Sequence, residues 1–211
     1  MEYDPERPDD LHMNILKKVR NAVRGGKQRW GTAAMKRSLW NDEFSSGYWE
    51  SLENTADDMV YSYIKKYCGT GSILDLGCGS GNTGCELDAT SYRTYTGVDI
   101  SDVALQKAGR RSELNNRREK NSYVLSDIAS YIPDTDYDVI LFRESIYYIP
   151  AHKIKPTLER YSRHLKQNGV LIVKWHDEKV AETLTPLLQE NFRIIERSPP
   201  NNAGSLVIIF R

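Results

Sequence analysis

Residues 72–82 read Ser-Ile-Leu-Asp-Leu-Gly-Cys-Gly-Ser-Gly-Asn: an apolar β-type run passes straight into glycines at 77, 79 and 81. Glycine at alternate positions lets the chain turn sharply and approach a ligand where a Cβ would collide. A turn of this kind at the start of a helix also presents backbone N–H groups. In a doubly wound sheet the junction lies at the carboxyl ends of the strands, where ligands bind. The stretch therefore predicts an α/β sheet with a small-molecule site built on its first turn.

Downstream, short apolar runs recur at 94–99, 122–126, 137–143, 169–175, 192–198 and 204–210. Polar stretches of helical character separate them at 82–89, 101–118, 151–167 and 178–190. Several runs are apolar throughout, as strands covered on both faces are. The alternation predicts an α/β fold: a Rossmann-like, doubly wound, seven-stranded sheet. Its last two strands, joined by SPPNNAG (198–204), form an antiparallel hairpin.

Upstream, 54–67 reads as a helix that Cys68-Gly69-Thr70-Gly71 ends. From Leu11 to Arg37 a basic amphipathic helix is expected, interrupted at Gly25-Gly26. Trp40, Phe44, Tyr48 and Trp49 cluster after it. The chain thus divides into an N-terminal helical cap or lid, 1–71, and a core, 72–211.

The 211 residues carry 29 Lys plus Arg against 29 Asp plus Glu, a net charge of zero. That argues against a nucleic-acid partner, because phosphate binding needs a surplus of cations. No apolar stretch approaches the ~20 residues of a membrane span, and the acidic start lacks the apolar region of a secretory signal. A cytoplasmic protein is expected, with no membrane partner, either monomer or homodimer. Cys68, Cys78 and Cys85 are expected to be reduced, and with no nearby histidine they make a poor zinc signature.

Gly79 to Gly84 alone satisfies the GxGxxG of dinucleotide sites. Asp75 extends it to D-x-G-x-G-x-G, and an acid there suits an ammonium group better than a pyrophosphate. On these residues the chain from Ser72 to Arg211 resembles the class I S-adenosylmethionine-dependent methyltransferases. The resemblance implies S-adenosylmethionine as cofactor, its methionine end held by Asp75, Gly77, Gly79 and Gly81. Asp99, closing TGVD, would accept the ribose hydroxyls, and Ile100 would pack on adenine. Asp127, followed by Ile128, would serve the adenine amino group. Phe142 and Arg143 would lie beside the methyl donor, and Tyr48 and Trp49 are the expected contacts from the N-terminal segment. Asp138 reads as a structural residue at a strand start.

The string Glu144-Ser145-Ile146-Tyr147-Tyr148 resembles that of nodulation-factor N-methyltransferases, which act on a sugar amine, and of small glucoside O-methyltransferases. Tyr147 and Tyr148 of this string, Trp175 after the fifth strand and Trp40 of the aromatic cluster are the expected acceptor contacts, although the two tyrosines could equally roof the core. A sugar hydroxyl ionises far above neutrality, so its attack needs a base within reach. His176 alone among four histidines ends a core strand, and imidazole suits the role; Glu144 is the second candidate base. His12, His152 and His164 read as peripheral. The residues after the fourth and fifth strands supply too few oxygens for a hard divalent cation, so no metal is expected. The expected function is methyl transfer to a small molecule, preferably a glycoside hydroxyl in secondary metabolism. An amine acceptor remains an alternative, as does a non-catalytic cofactor-binding partner protein.

Overall fold

Side chains alternate across a strand, so a strand apolar at every position feeds two cores at once. The computed structural model, which describes residues 23–50, 55, 57–199 and 205–211, shows this on its central strands. Strands β1 (Ser72–Leu76), β2 (Thr94–Asp99), β3 (Asn121–Leu125), β4 (Tyr137–Arg143), β5 (Leu165–Trp175), β6 (Ile194–Arg197) and β7 (Leu206–Phe210) form one sheet. Their order is β3-β2-β1-β4-β5-β7-β6. The first five pair in parallel, and β7 runs antiparallel to both β5 and β6. This is the Rossmann-like sheet with a C-terminal antiparallel hairpin that the alternation predicts.

The helices are α1 (23–30), α2 (Ala33–Ser45), α3 (Val60–Cys68), α4 (Asn82–Glu86), α5 (Asp102–Leu114), α6 (Ala151–Ser162) and α7 (Glu178–Asn191). Leu74, Ile140, Phe142, Leu171 and Val173 face one core with Leu158 and Tyr161 of α6 and Leu184 and Leu188 of α7. Their neighbours Ile73, Val139, Leu141, Val170 and Ile172 face the other, with Val60 and Ile64 of α3. Among the described residues no helix is long and apolar enough to cross a membrane.

Several boundaries differ from the sequence reading. Gly25 and Gly26 lie inside α1 and do not interrupt it. The break comes at Gly31, after which the Thr32 hydroxyl caps α2 by accepting from Met35 N. The part of the expected basic helix before residue 23, His12 included, lies outside the described residues. The helix expected from 54 starts only at Val60, whose N–H donates to Asp58. β5 begins at Leu165, four residues before its apolar run, because a register shift lies between the Tyr137↔Leu165 and Val139↔Val170 pairs. Asp138 accepts from Ser72 N and Oγ and from Lys166 Nζ, tying β1, β4 and β5 together at their amino ends.

At the opposite end, the sheet order reverses between β1 and β4, and α2 lies over that edge. Its Asn41 accepts from Ser101 Oγ at 2.7 Å and donates to Asp102 at 2.7 Å, stapling α2 to the start of α5.

Candidate active site

The turn after β1 is wired to the end of β2. Gly77 N and Cys78 N both donate to Val98 O, and Gly79 N donates to Asp99 Oδ2 at 2.9 Å. The other Asp99 oxygen accepts from Ser101 N at 2.9 Å. Gly77 has φ +81°, and a Cβ there would stand 2.5 Å from Ser145 Cβ, so the loop after β4 closes only against a bare backbone. Gly79 has φ +54° and faces Phe44 of α2.

A cavity of about 630 Å³ opens at these carboxyl ends. Gly77, Gly79, Asp99, Ile100, Asp127, Ile128 and Arg143 line it, with Trp40, Phe44 and Trp49 from the N-terminal segment. Asp75 lies beneath the turn and is not in the wall. Tyr95 donates its hydroxyl to Asp75 Oδ2 at 2.7 Å, and burial pushes the Asp75 carboxyl up to about 6. Gly81 is also outside the lining, packed toward Ala108 of α5.

Three further side chains singled out in the sequence do not reach the cavity. Strand alternation turns Phe142 into the α6 core, where its ring meets Tyr161 edge-on at 5.6 Å, while its neighbour Arg143 faces the cavity. The same alternation buries Trp175 completely against the α7 side and gives Lys174 to the cavity. Tyr48 is 58% exposed, packed edge-on against Trp49 and under the Arg24 guanidinium.

The aromatic wall is continuous. Trp40 lies 4.8 Å from Tyr148 in an edge-on pair and 5.9 Å from Trp49, and Tyr147 lies 4.7 Å from Tyr148. Burial pushes the Tyr148 hydroxyl up to about 12 and Tyr147 higher, so both stay neutral. Glu43 holds the wall in place: it accepts from Trp49 Nε1 at 3.0 Å and takes both ends of an Arg24 fork.

The end of β4 and the end of β5 carry a chain of charges. Arg143 donates to Asp58 at 2.8 Å, and Lys174 reaches Asp58 at 3.1 Å and Glu144 at 3.0 Å. Burial opposes the Asp58 charge, but the two cations outweigh it and hold its carboxyl below the usual range. Glu144 Oε2 accepts from the Tyr147 hydroxyl at 3.1 Å and lies 2.9 Å from His176 Nδ1. Glu144 has φ +55°, a left-handed conformation that a non-glycine residue adopts at an energetic cost and that clusters at functional sites. His176 is 66% exposed at the mouth. Elsewhere, His152 stacks on Trp30 and His164 lies near Asp136.

Sequence reasoning missed Gln28, Lys36, Asp58 and Lys174 as cavity residues. Buried Lys36 of α2 pairs with Asp127 at 3.4 Å. The partners of Asp58 lie 85 and 116 residues away, so no local pattern marks it. Among the described residues, no group of three or more His, Cys, Asp and Glu side chains could hold a metal ion.

Residues 73–169 match the family model of a methyltransferase domain. The match marks that stretch as a methyltransferase domain, and the sheet around it has the fold of the class I S-adenosylmethionine-dependent methyltransferases. It is 23% identical over 132 residues to 27-O-demethylrifamycin SV methyltransferase of Amycolatopsis mediterranei, covering 59% of this chain and 48% of that protein. Identity to pavine N-methyltransferase of Thalictrum flavum is 27% over 145 residues, 65% of this chain and 40% of that one. The chain thus spans about half or less of the length of these relatives. In fold it is similar to the N-methyltransferase NodS of Bradyrhizobium japonicum, whose crystal structure holds S-adenosylhomocysteine (TM-score 0.67, 19% identity, 83% of this chain and 97% of that). Magnesium protoporphyrin IX methyltransferase of Synechocystis, crystallised with S-adenosylmethionine, gives TM-score 0.67 at 15% identity, over 85% of this chain and 96% of that one.

The cofactor of this domain class suits the cavity. Carboxylates Asp99 and Asp127 line it together with the aromatic side chains Trp40, Phe44 and Trp49, and Asp75 lies under the turn. Carboxylates and aromatic faces both attract a sulfonium cation.

Proposed function

We propose that this protein transfers a methyl group from S-adenosylmethionine to a small-molecule acceptor, with a sugar hydroxyl of a glycoside as the preferred acceptor. The contact of His176 with Glu144 beside an aromatic wall carries this reading. A hydroxyl nucleophile needs a base, and an apolar ring face suits a sugar ring. The similar proteins named above include one O-methyltransferase and two N-methyltransferases, so the acceptor atom rests on the site.

When bound, S-adenosylmethionine supplies an electrophilic methyl group on sulfur. Asp99 and Asp127 would accept from the ribose hydroxyls and the adenine amino group, and the bare backbone at Gly77 and Gly79 permits close approach. The 1–71 segment acts as a lid, its Trp40, Phe44 and Trp49 excluding water. With Nδ1 engaged by Glu144, the other ring nitrogen of His176 is free to take the proton from the acceptor hydroxyl. Glu144 stabilises the imidazolium, and the exposure of the ring lets that proton pass to solvent. Alignment of the reactants supplies up to ~7–11 kcal/mol of the acceleration.

A screen with methyl-labelled cofactor against aryl glucosides, their aglycones and simple amines tests the reading. Label in the glucosides supports it. Label only in amines refutes the hydroxyl acceptor, and no label anywhere, with S-adenosylhomocysteine bound, favours a non-catalytic role.

A further inference from the structure

Gln28 is 8% exposed, lines the cavity, and its Nε2 has no hydrogen-bond partner among the described residues. A buried amide N–H₂ without a partner is costly and calls for an explanation. Its position supplies one. Gln28 follows Arg24 by four residues and so shares its face of α1. Arg24 is fixed to Glu43 and raises its guanidinium over the Tyr48 and Trp49 rings. Two residues beyond Gln28, Trp30 stacks on His152 at 5.6 Å with the planes 16° apart. His152 sits in the first turn of α6, directly after the Tyr147–Pro150 loop. The described part of α1 is therefore held at Arg24 and at Trp30, near the loop that follows β4, where Glu144, Tyr147 and Tyr148 lie.

We propose that Gln28 is a specificity-determining residue, its carboxamide donating to a hydroxyl or ring oxygen of a sugar ring seated against Trp40 and Tyr148. The proposal rests on the glycoside reading given above. It adds a polar contact that distinguishes a polyhydroxylated ring from a flat apolar one, because the latter leaves the amide unpaired.

The test combines kinetics and binding with 4-nitrophenyl glucoside as acceptor probe. Gln28→Leu should raise KM for the glucoside about tenfold or more, the cost of one lost hydrogen bond from a buried donor. The loss should fall on KM rather than kcat, with affinity for S-adenosylhomocysteine held within about twofold. Gln28→Met, which keeps size but lacks the amide, should behave like Gln28→Leu, and Gln28→Asn should recover part of the loss. In a nitrogen–proton NMR titration, the Gln28 side-chain amide signals, assigned by their loss in Gln28→Leu, should move when the glucoside is added to the S-adenosylhomocysteine complex. An unchanged KM in Gln28→Leu, a weakened S-adenosylhomocysteine affinity, or amide signals that ignore the glucoside overturns the proposal. Amide signals that move without turnover of the glucoside would uphold Gln28 as a sugar contact and refute O-methylation instead.

Discussion

His176 Nδ1 lies 2.9 Å from Glu144 Oε2, although 32 residues of chain separate them. The pair forms because β4 and β5 are adjacent and in register up to Arg143↔Lys174, so Glu144, one residue beyond that pair, comes beside His176, two residues beyond it. Glu144 is held by Tyr147 and Lys174 as well, and its left-handed backbone aims the carboxylate along the cavity wall. With His176 as base, His176→Ala should lower kcat on a hydroxyl acceptor by about 10²–10⁴-fold. The loss should shrink as rising pH supplies hydroxide, and Glu144→Gln should give a smaller loss. Steady-state rates across pH check this; a His176→Ala rate close to wild type would end the base assignment.

Asp75 makes stability pH-dependent. Its folded-state pKa of about 6 lies above the ordinary 3.8, so on a rise in pH the folded state keeps the proton that the unfolded chain has released. Its contribution is full below about pH 4 and is lost as pH rises through about 6, with a swing on the order of 1–3 kcal/mol. Asp75→Asn keeps an acceptor for Tyr95 and carries no charge. Its melting temperature should therefore exceed that of wild type above about pH 6 and converge with it near pH 4. A pH-independent difference would show that Asp75 is not the titrating group.

Gly77 and Gly109 should respond oppositely to alanine. At Gly77 the backbone is left-handed and a methyl would meet Ser145 Cβ at 2.5 Å, so Gly77→Ala should cost about 2–4 kcal/mol. Gly109 lies inside α5 with open space around its Cβ position. Gly109→Ala should stabilise by roughly 0.5–1 kcal/mol, the helix preference for alanine. Denaturant melts of the two variants measure both signs.

Trp175 should behave as a core residue. It is fully buried, and its indole Nε1 has no hydrogen-bond partner among the described residues. Trp175→Ala should cost about 3–5 kcal/mol. Trp175→Phe removes the orphaned N–H and should stay within about 1.5 kcal/mol of wild type. Neither substitution should raise acceptor KM selectively; a KM effect in a stably folded Trp175→Phe protein would return this residue to the acceptor site.

The sequence by itself determined the sheet, its alternation with helices and the turn after β1. These are local properties: a run such as Tyr137–Arg143 is strand-forming throughout, and glycines at 77, 79 and 81 permit the positive-φ backbone that the tight turn takes. Which face each strand residue takes was decided by tertiary structure. Phe142 and Arg143, or Trp175 and Lys174, are adjacent in the chain, and only the packing of α6 and α7 on one side makes the aromatic member core and the basic member cavity wall. Break points in weak patterns also escaped local reading, as where α1 runs through Gly25-Gly26. The cavity's ion pairs and its unpartnered amide were decided the same way. Asp58 meets Arg143 and Lys174, and Lys36 meets Asp127 across 91 residues, because helices from the N-terminal segment cross the carboxyl edge of the sheet. Charge pairing acts through space over a few ångströms, and the chain order carries no record of which distant residues the fold will bring that close.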